Sequence, residues 1–148
     1  MAAPDFMGIA LAEAKAAADA GEVPVGCVIA RDGEMIARAG NRTLRDRDPT
    51  AHAEVLALRA AAAKLGSERL TGCDLYVTLE PCTMCAAAIS FARIRRLYFG
   101  AGDPKGGAVE SGVRFFSAPT CHHKPEIYGG IGEADASAIL KEFFATKR

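Results

Sequence analysis

Two short runs hold residue types that can do chemistry together: Thr50-Ala51-His52-Ala53-Glu54 and Pro81-Cys82-Thr83-Met84-Cys85. In the second run, a proline suits the first turn of a helix, where its missing N–H costs nothing and its fixed φ sets the entry of the chain. Cys82 and Cys85, three apart, then project from one face of that turn. The partial positive charge at a helix N-terminus favours thiolate over thiol. Two convergent thiolates make half of a zinc site. His52 is the best third ligand, because it also stands at a predicted helix start after a polar loop. Two helix mouths facing one another would bring His52, Cys82 and Cys85 onto one ion. Three protein ligands rather than four leave a coordination position for water, as in a catalytic zinc site, and lower that water's pKa to roughly 7. Glu54 then has a use as the carboxylate that takes a proton there and later delivers it to a leaving group. On an ideal helix Glu54 would point about 200° round the axis from His52. Both serve one site only where the helix begins and side chains aim along its axis.

Taken singly, each run has a blander reading. Cys-x-x-Cys also occurs as structural zinc, as a redox pair or as two packed thiols, and a histidine at a helix start commonly caps or packs. A redox pair would leave the His-Ala-Glu run unexplained. The order of the two runs, with the proline and both helix signals, favours the metal site.

The elements that must position these residues are legible in outline. Asp5 is a candidate cap for a helix with Phe6, Ile9, Ala10, Ala14 and Ala17 on its apolar face, ending near Gly21. Residues 23–30 read as a strand, Asp32-Gly33 as a two-residue hairpin turn, and 34–39 as the returning strand. Residues 41–50 read as a polar surface loop. A helix is expected over 51–65 with Gly66 as its stop, a strand over 74–79, a helix over 82–91 and a strand over 96–100. Residues 101–125 are rich in glycine and lack periodicity, with a short helix expected near 113–116. A last strand is expected over 126–128, and an amphipathic helix over 132–147 carrying Ile139, Leu140, Phe143 and Phe144. This order predicts an α/β fold, with one mixed sheet and helices on both faces.

Composition narrows the class. The 148 residues fit one domain, 1–148, which can bury a core without disulfides. Apolar residues at 50% against charged residues at 24% argue for a folded globular chain. No uninterrupted apolar stretch is long enough to span a membrane. The first residues carry no basic segment ahead of an apolar run, so the expected location is the cytoplasm. Lys+Arg and Asp+Glu balance at 18 each, which argues against a nonspecific basic coat for nucleic acid but allows a local contact. The five cysteines are an odd number and read as thiols or metal ligands. Cys27 reads as packing inside a strand, and Cys73 and Cys121 lack ligand spacing to the central motif. His122-His123 reads as a solvated or substrate-facing loop. Arg42, Arg45, Arg47, Arg93, Arg95 and Arg96 form either a phosphate-binding rim or a solvated surface balanced by nearby aspartates.

His-Ala-Glu followed by Pro-Cys-x-x-Cys resembles the signature of the zinc-dependent cytidine and nucleobase deaminases. Further runs resemble the bacterial tRNA adenosine deaminases within that superfamily: Val23-Pro24-Val25-Gly26, Asn41-Arg42, Asp48 through Glu54, Leu75 through Cys82, Met84-Cys85-Ala86, and Phe99-Gly100-Ala101 with Asp103. The resemblance covers nearly the whole chain and is densest over residues 22–107. It implies a three-layer α/β/α cytidine-deaminase-like fold with a mixed five-stranded sheet. It implies one zinc per subunit on His52, Cys82 and Cys85, with Glu54 as the catalytic proton carrier. The Asn41 side chain and the Ala53 N–H would hold the base, Asp103 would meet a neighbouring ribose, and Phe144 with Lys147 would line the RNA approach. The implied reaction turns adenosine into inosine at the wobble position of a tRNA anticodon and releases ammonia. The implied partners are the anticodon stem-loop and a second copy of the chain, with no membrane. Two other readings use the same residues: a free nucleobase or nucleoside deaminase acting on guanine, cytosine or a related ring, and a noncatalytic zinc-stabilised RNA-binding or dimerisation module. Glu54 speaks against the last, since a structural zinc has no use for it. The chain departs from the tRNA-acting pattern at Glu110 through Phe116, where Gly-Ser-Leu-Met is usual, and at His122-His123-Lys124, where Asn-His-Arg is common. Both departures lie on the substrate-facing side as the resemblance places it.

Overall fold

The computed structural model describes residues 4–146. Asp5 accepts a hydrogen bond from the Gly8 N–H at 2.9 Å and so caps helix α1 (Phe6–Asp19). Strand β1 (Gly26–Arg31) and strand β2 (Glu34–Gly40) are joined through Asp32 and Gly33, both at positive φ (54° and 79°), as a primed hairpin turn requires. The sequence reading starts β1 at Val23. The ladder begins only at Gly26, because Pro24 has no N–H to give it. The Gly26 N–H instead donates to Thr78 Oγ1 at 3.1 Å. Helix α2 (Ala53–Leu65) stops at Gly66 in the left-handed region, and strand β3 (Asp74–Leu79) follows. Helix α3 (Thr83–Phe91) connects it to strand β4 (Arg96–Ala101). A single 3-10 turn at Phe115–Ser117 interrupts the long connection to strand β5 (Glu126–Tyr128), and helix α4 (Glu133–Ala145) ends the described chain.

The five strands form one sheet in the order β2-β1-β3-β4-β5. β1 runs antiparallel to both β2 and β3, whereas β3, β4 and β5 are mutually parallel, so the sheet is mixed as expected. Strand alternation divides the core into two layers. Cys27, Ile29, Leu75, Val77, Leu97 and Phe99 point to the face covered by α2 and α3, where they meet Ala57, Ala61 and Ile89. Val28, Ala30, Tyr76 and Tyr98 point to the opposite face, against Phe6, Met7 and Ala10 of α1. Gly26 is required there, since a Cβ would run into the Ala10 carbonyl of α1. α4 lies over β4 on the same side as α1. The result is the three-layer α/β/α architecture.

α4 differs from its sequence reading. Of its residues only Ala136 is buried, and Phe144 is 52% exposed. The helix approaches the sheet through the small side chain of Ala136 over Gly100, so the stripe of Ile139, Leu140, Phe143 and Phe144 is not seated in the core. Among the described residues, no helix is long and apolar enough to cross a membrane.

The loop between β2 and α2 hangs on one buried carboxylate. Glu22, fully buried, accepts from the Leu44 N–H (3.1 Å), the Arg45 N–H (2.9 Å) and Arg45 Nε (3.1 Å). Burial alone would raise its pKa, but these donors and the Arg45 charge outweigh burial and hold it below the ordinary glutamate value. A carboxylate with a depressed folded-state pKa contributes stability above its unfolded pKa, about 4.3, and loses it as pH falls through the folded-state value. Glu22→Gln is therefore expected to cost about 1–3 kcal/mol at pH 7. In thermal or urea unfolding of both proteins, the gap should narrow as the pH drops below about 4. A gap independent of pH would contradict the assignment of charge to Glu22.

Candidate metal centre and active site

The sequence reading opens α2 at Ala51 and α3 at Cys82, but each helix starts later. α2 begins at Ala53 with His52 as its N-cap residue (φ −73°, ψ 151°), and α3 begins at Thr83 with Cys82 in the same position (φ −72°, ψ 177°). Neither side chain is spent on a capping hydrogen bond. Both caps are extended, so both side chains leave the helix mouth rather than its flank. This resolves the 200° problem posed by an ideal helix. His52 sits outside the helical spiral, while Glu54 lies in the first turn beneath it.

The polar loop fixes the approach to His52. Asp48 accepts from the Thr50 N–H (2.8 Å) and Thr50 Oγ1 (2.7 Å), an arrangement that holds its carboxyl below the usual range. The Arg42 N–H donates to the Ala51 carbonyl at 3.0 Å, tying the two ends of the loop together.

His52 Nδ1 lies 3.4 Å from Cys85 Sγ and 3.7 Å from Cys82 Sγ. All three ligand atoms lie within 4.8 Å of one another. Ordinary Zn–N and Zn–S bonds at tetrahedral angles separate nitrogen from sulfur by about 3.6 Å, so the residues fit zinc without rearrangement. The Cys85 thiol donates to Cys82 and, against the effect of burial and with help from His52, holds Cys82 down at about 4. Cys85 is pushed up correspondingly, because it keeps the shared proton beside an anionic neighbour and is buried. A divalent cation held by these residues would take the place of that proton, since metal ligation needs both sulfurs as thiolates.

Above the three ligands is a cavity of about 280 Å³. His52, Ala53, Glu54 and Cys82 line its base, Asn41, Thr43, Asp103 and Gly106 its rim, and Val23, Val25, Leu79 and Glu80 its walls. Cys85 is buried behind it. Glu54 is 4% exposed, and burial is the main reason its pKa rises to about 7, with the Cys82 thiolate adding to the rise and His52 opposing it. Asn41 is also buried, and its Oδ1 has no hydrogen-bond partner among the described residues. A buried amide oxygen left unpaired is costly, and Asn41 is one of the residues that line the cavity.

The structure thus brings together His52, Ala53, Glu54, Cys82, Cys85, Asn41 and Asp103. It does not bring Phe144 to them. That ring lies on the exposed last turn of α4, edge-on to Phe143 at 5.4 Å. Lys147 lies outside the described residues. The Glu110 to Lys124 loop does not line this cavity either. Glu110, Arg114 and Lys124 border a separate hollow with Phe116 and Ile127. His123 is turned inward, its Nε2 2.8 Å from the Ile94 carbonyl. Most of the arginines singled out by sequence are paired: Arg42 with Asp46, Arg45 with Glu22, Arg95 with Asp74 and Arg96 with Glu126. Glu80 was missed. The one signal was an acidic residue wedged between an apolar strand and Pro81, where a carboxylate must be buried.

An N-cap imidazole and two thiolates from a second helix start, under a cavity at the strand ends of a mixed sheet, define a zinc-dependent deaminase site. Residues 2–101 match the cytidine and deoxycytidylate deaminase zinc-binding region, and the chain belongs to that family, with zinc as its cofactor. It is 64% identical over 143 residues to the tRNA-specific adenosine deaminase of Agrobacterium fabrum (strain C58), covering 97% of this chain and 94% of that one. A solved structure from work on A-to-I editing by tRNA:A34 deaminases at the wobble position of transfer RNA superposes with a TM-score of 0.90 at 65% identity, covering 91% of this chain and 98% of that one. A guanine deaminase from Nitrosomonas europaea superposes with a TM-score of 0.79 at 27% identity, covering 98% and 86%.

Removing any one of the three ligand side chains should abolish stable metal binding. His52→Ala and Cys82→Ala are each expected to drop zinc from about one per chain to a small residue of that, as read by elemental analysis of dialysed protein. Full zinc in either variant would show that the ligand set is different.

Proposed function

We propose that the protein hydrolyses adenosine to inosine at the wobble position of a tRNA anticodon, with release of ammonia. The observation that carries this reading is the meeting of three metal ligands, a buried Glu54 and an unpaired Asn41 amide oxygen in one cavity. The likeness to tRNA-specific adenosine deaminases over almost the full chain supports the substrate.

His52, Cys82 and Cys85 would hold the zinc, which when bound would supply a Lewis acid that makes water nucleophilic at neutral pH. Glu54 is buried at the cavity base and takes the proton given up by water. It passes that proton to ring N1 as the C–O bond forms at C6, then carries the second proton of the same water to the amino group, so that the C–N bond breaks, ammonia leaves and the C6 carbonyl of inosine remains. Ala53 opens α2, so its N–H has no acceptor within the helix and is free to donate to a ring nitrogen. The Asn41 amide holds another edge of the base. Asp103, at the rim, meets a neighbouring ribose.

We further propose that the active form is a homodimer. An apolar groove between α2 and α3, lined by Val55, Leu58, Leu70, Ala88 and Phe91, supports this, since Phe91 is 69% exposed. Phe144 and Lys147 would border the RNA in that assembly, and a tRNA substrate supports a cytoplasmic location.

The second reading is a free-base deaminase, favoured by the likeness to a guanine deaminase. One panel separates the two: an anticodon stem-loop, guanine, cytosine and adenosine, with inosine and ammonia as readouts. Inosine in the stem-loop alone is expected, and ammonia from guanine alone would refute the tRNA assignment. Glu54→Ala should lower kcat by a factor of about 10²–10⁴ while zinc content stays at the wild-type level. Unchanged turnover would remove Glu54 from its role.

A further inference from the structure

Beside the metal ligands lies a carboxylate that the mechanism above does not use. Glu80 is 3% exposed and forms no ion pair among the described residues. Its Oε1 accepts from the Asp103 N–H (2.9 Å) and Ser111 Oγ (3.0 Å). Its Oε2 accepts from the N–H groups of Val109 (3.0 Å), Glu110 (2.9 Å) and Ser111 (3.0 Å). A carboxylate offers about four lone-pair sites, so nothing is left over for a substrate or a proton in transit. Burying an unpaired charge is expensive, and only charge-assisted bonds of this kind offset it.

All of these donors belong to one irregular loop, residues 102–111, which has no regular secondary structure of its own. Neighbouring bonds continue the same attachment. The Glu80 N–H donates to the Ala101 carbonyl (2.8 Å), and the Ala108 N–H donates to the Pro81 carbonyl (2.9 Å). Space at the loop is matched to the carboxylate as well: a Cβ on Gly107 would come within 2.5 Å of the Glu80 carboxyl carbon. The loop in turn supplies Asp103 and Gly106 to the rim of the cavity. Asp103 Oδ1 is committed to the Lys105 and Gly106 N–H groups, which fixes the orientation of its carboxylate.

We infer that Glu80 is a positioning residue that holds the 102–111 loop in register with the metal-binding turn at Pro81-Cys82, and so sets the wall of the cavity that meets the nucleotide beside the target base. This rests on the RNA-acting reading given above. Glu80 touches neither metal nor reacting atoms. It turns a flexible, glycine-containing connection into a preformed surface whose place is measured from Cys82. Its loss should weaken substrate binding more than it slows chemistry.

The test compares full-length, zinc-loaded wild type, Glu80→Gln, Glu80→Asp and Ser111→Ala. Glutamine keeps the shape but turns an N–H group toward N–H donors. In Glu80→Gln, amide hydrogen exchange at residues 103 and 109–111 is expected to speed up about tenfold or more, with α1 unchanged and zinc retained. KM for an anticodon stem-loop should rise about tenfold with kcat within about threefold, and Glu80→Asp should recover part of that loss. Ser111→Ala, which removes one bond only, should raise exchange in the same loop by a smaller factor and serves if Glu80→Gln does not fold. Unchanged exchange in the loop, loss of zinc, or a fall in kcat at constant KM would each overturn the inference. If wild type forms no inosine, the function fails but the exchange data still decide whether the loop depends on Glu80.

Discussion

Everything in this molecule is arranged around two helix mouths brought face to face. α2 and α3 start where the sheet strands end, and the last residue before each helix is a metal ligand. The N-cap is the one helical position where a side chain is released from the spiral and aims along the axis. It also lies in the positive end of the helix dipole, which favours thiolate. The small residues of α2 and α3, with Ile89, let both helices settle on the same face of the sheet. That shared seat brings the imidazole and the two sulfurs within bonding reach of one cation.

Around that pair of helices, two buried carboxylates do similar work at different places. Glu22 gathers the loop after β2, which delivers Asn41 on one side and His52 on the other. Glu80 gathers the loop after β4, which delivers Asp103. In both cases an irregular segment has no ladder to satisfy its backbone, and a single anion beneath it accepts several N–H groups. The cavity rim is therefore rigid without being regular. Its polar atoms stay available because the backbone is satisfied from below.

Much of this was legible in the sequence, for identifiable reasons. The order of helices and strands followed from apolar periodicity and from Gly and Pro stops, and Asp32-Gly33 marked the hairpin. The ligand set followed from residue types whose spacing has few other uses. Helix starts were placed a residue or two early, because capping depends on which side chain is recruited elsewhere, and here the metal site recruits both. The role of Glu80 is hidden in the sequence because its partners are backbone groups, with one serine hydroxyl, far along the chain, and these leave no recognisable pattern. α4 misled for another reason. Its apolar stripe has helical spacing, but the sheet beneath offers only a narrow seat at Gly100, so Ala136 takes the contact.

The pairing of surface arginines has a consequence for how a polyanion would be met. Arg42, Arg45, Arg95 and Arg96 each carry an acidic neighbour of their own, and the chain as a whole is neutral. A guanidinium already neutralised within the fold displaces few condensed counterions when a phosphate arrives. Those four arginines should then add little to the salt dependence of association with a charged strand.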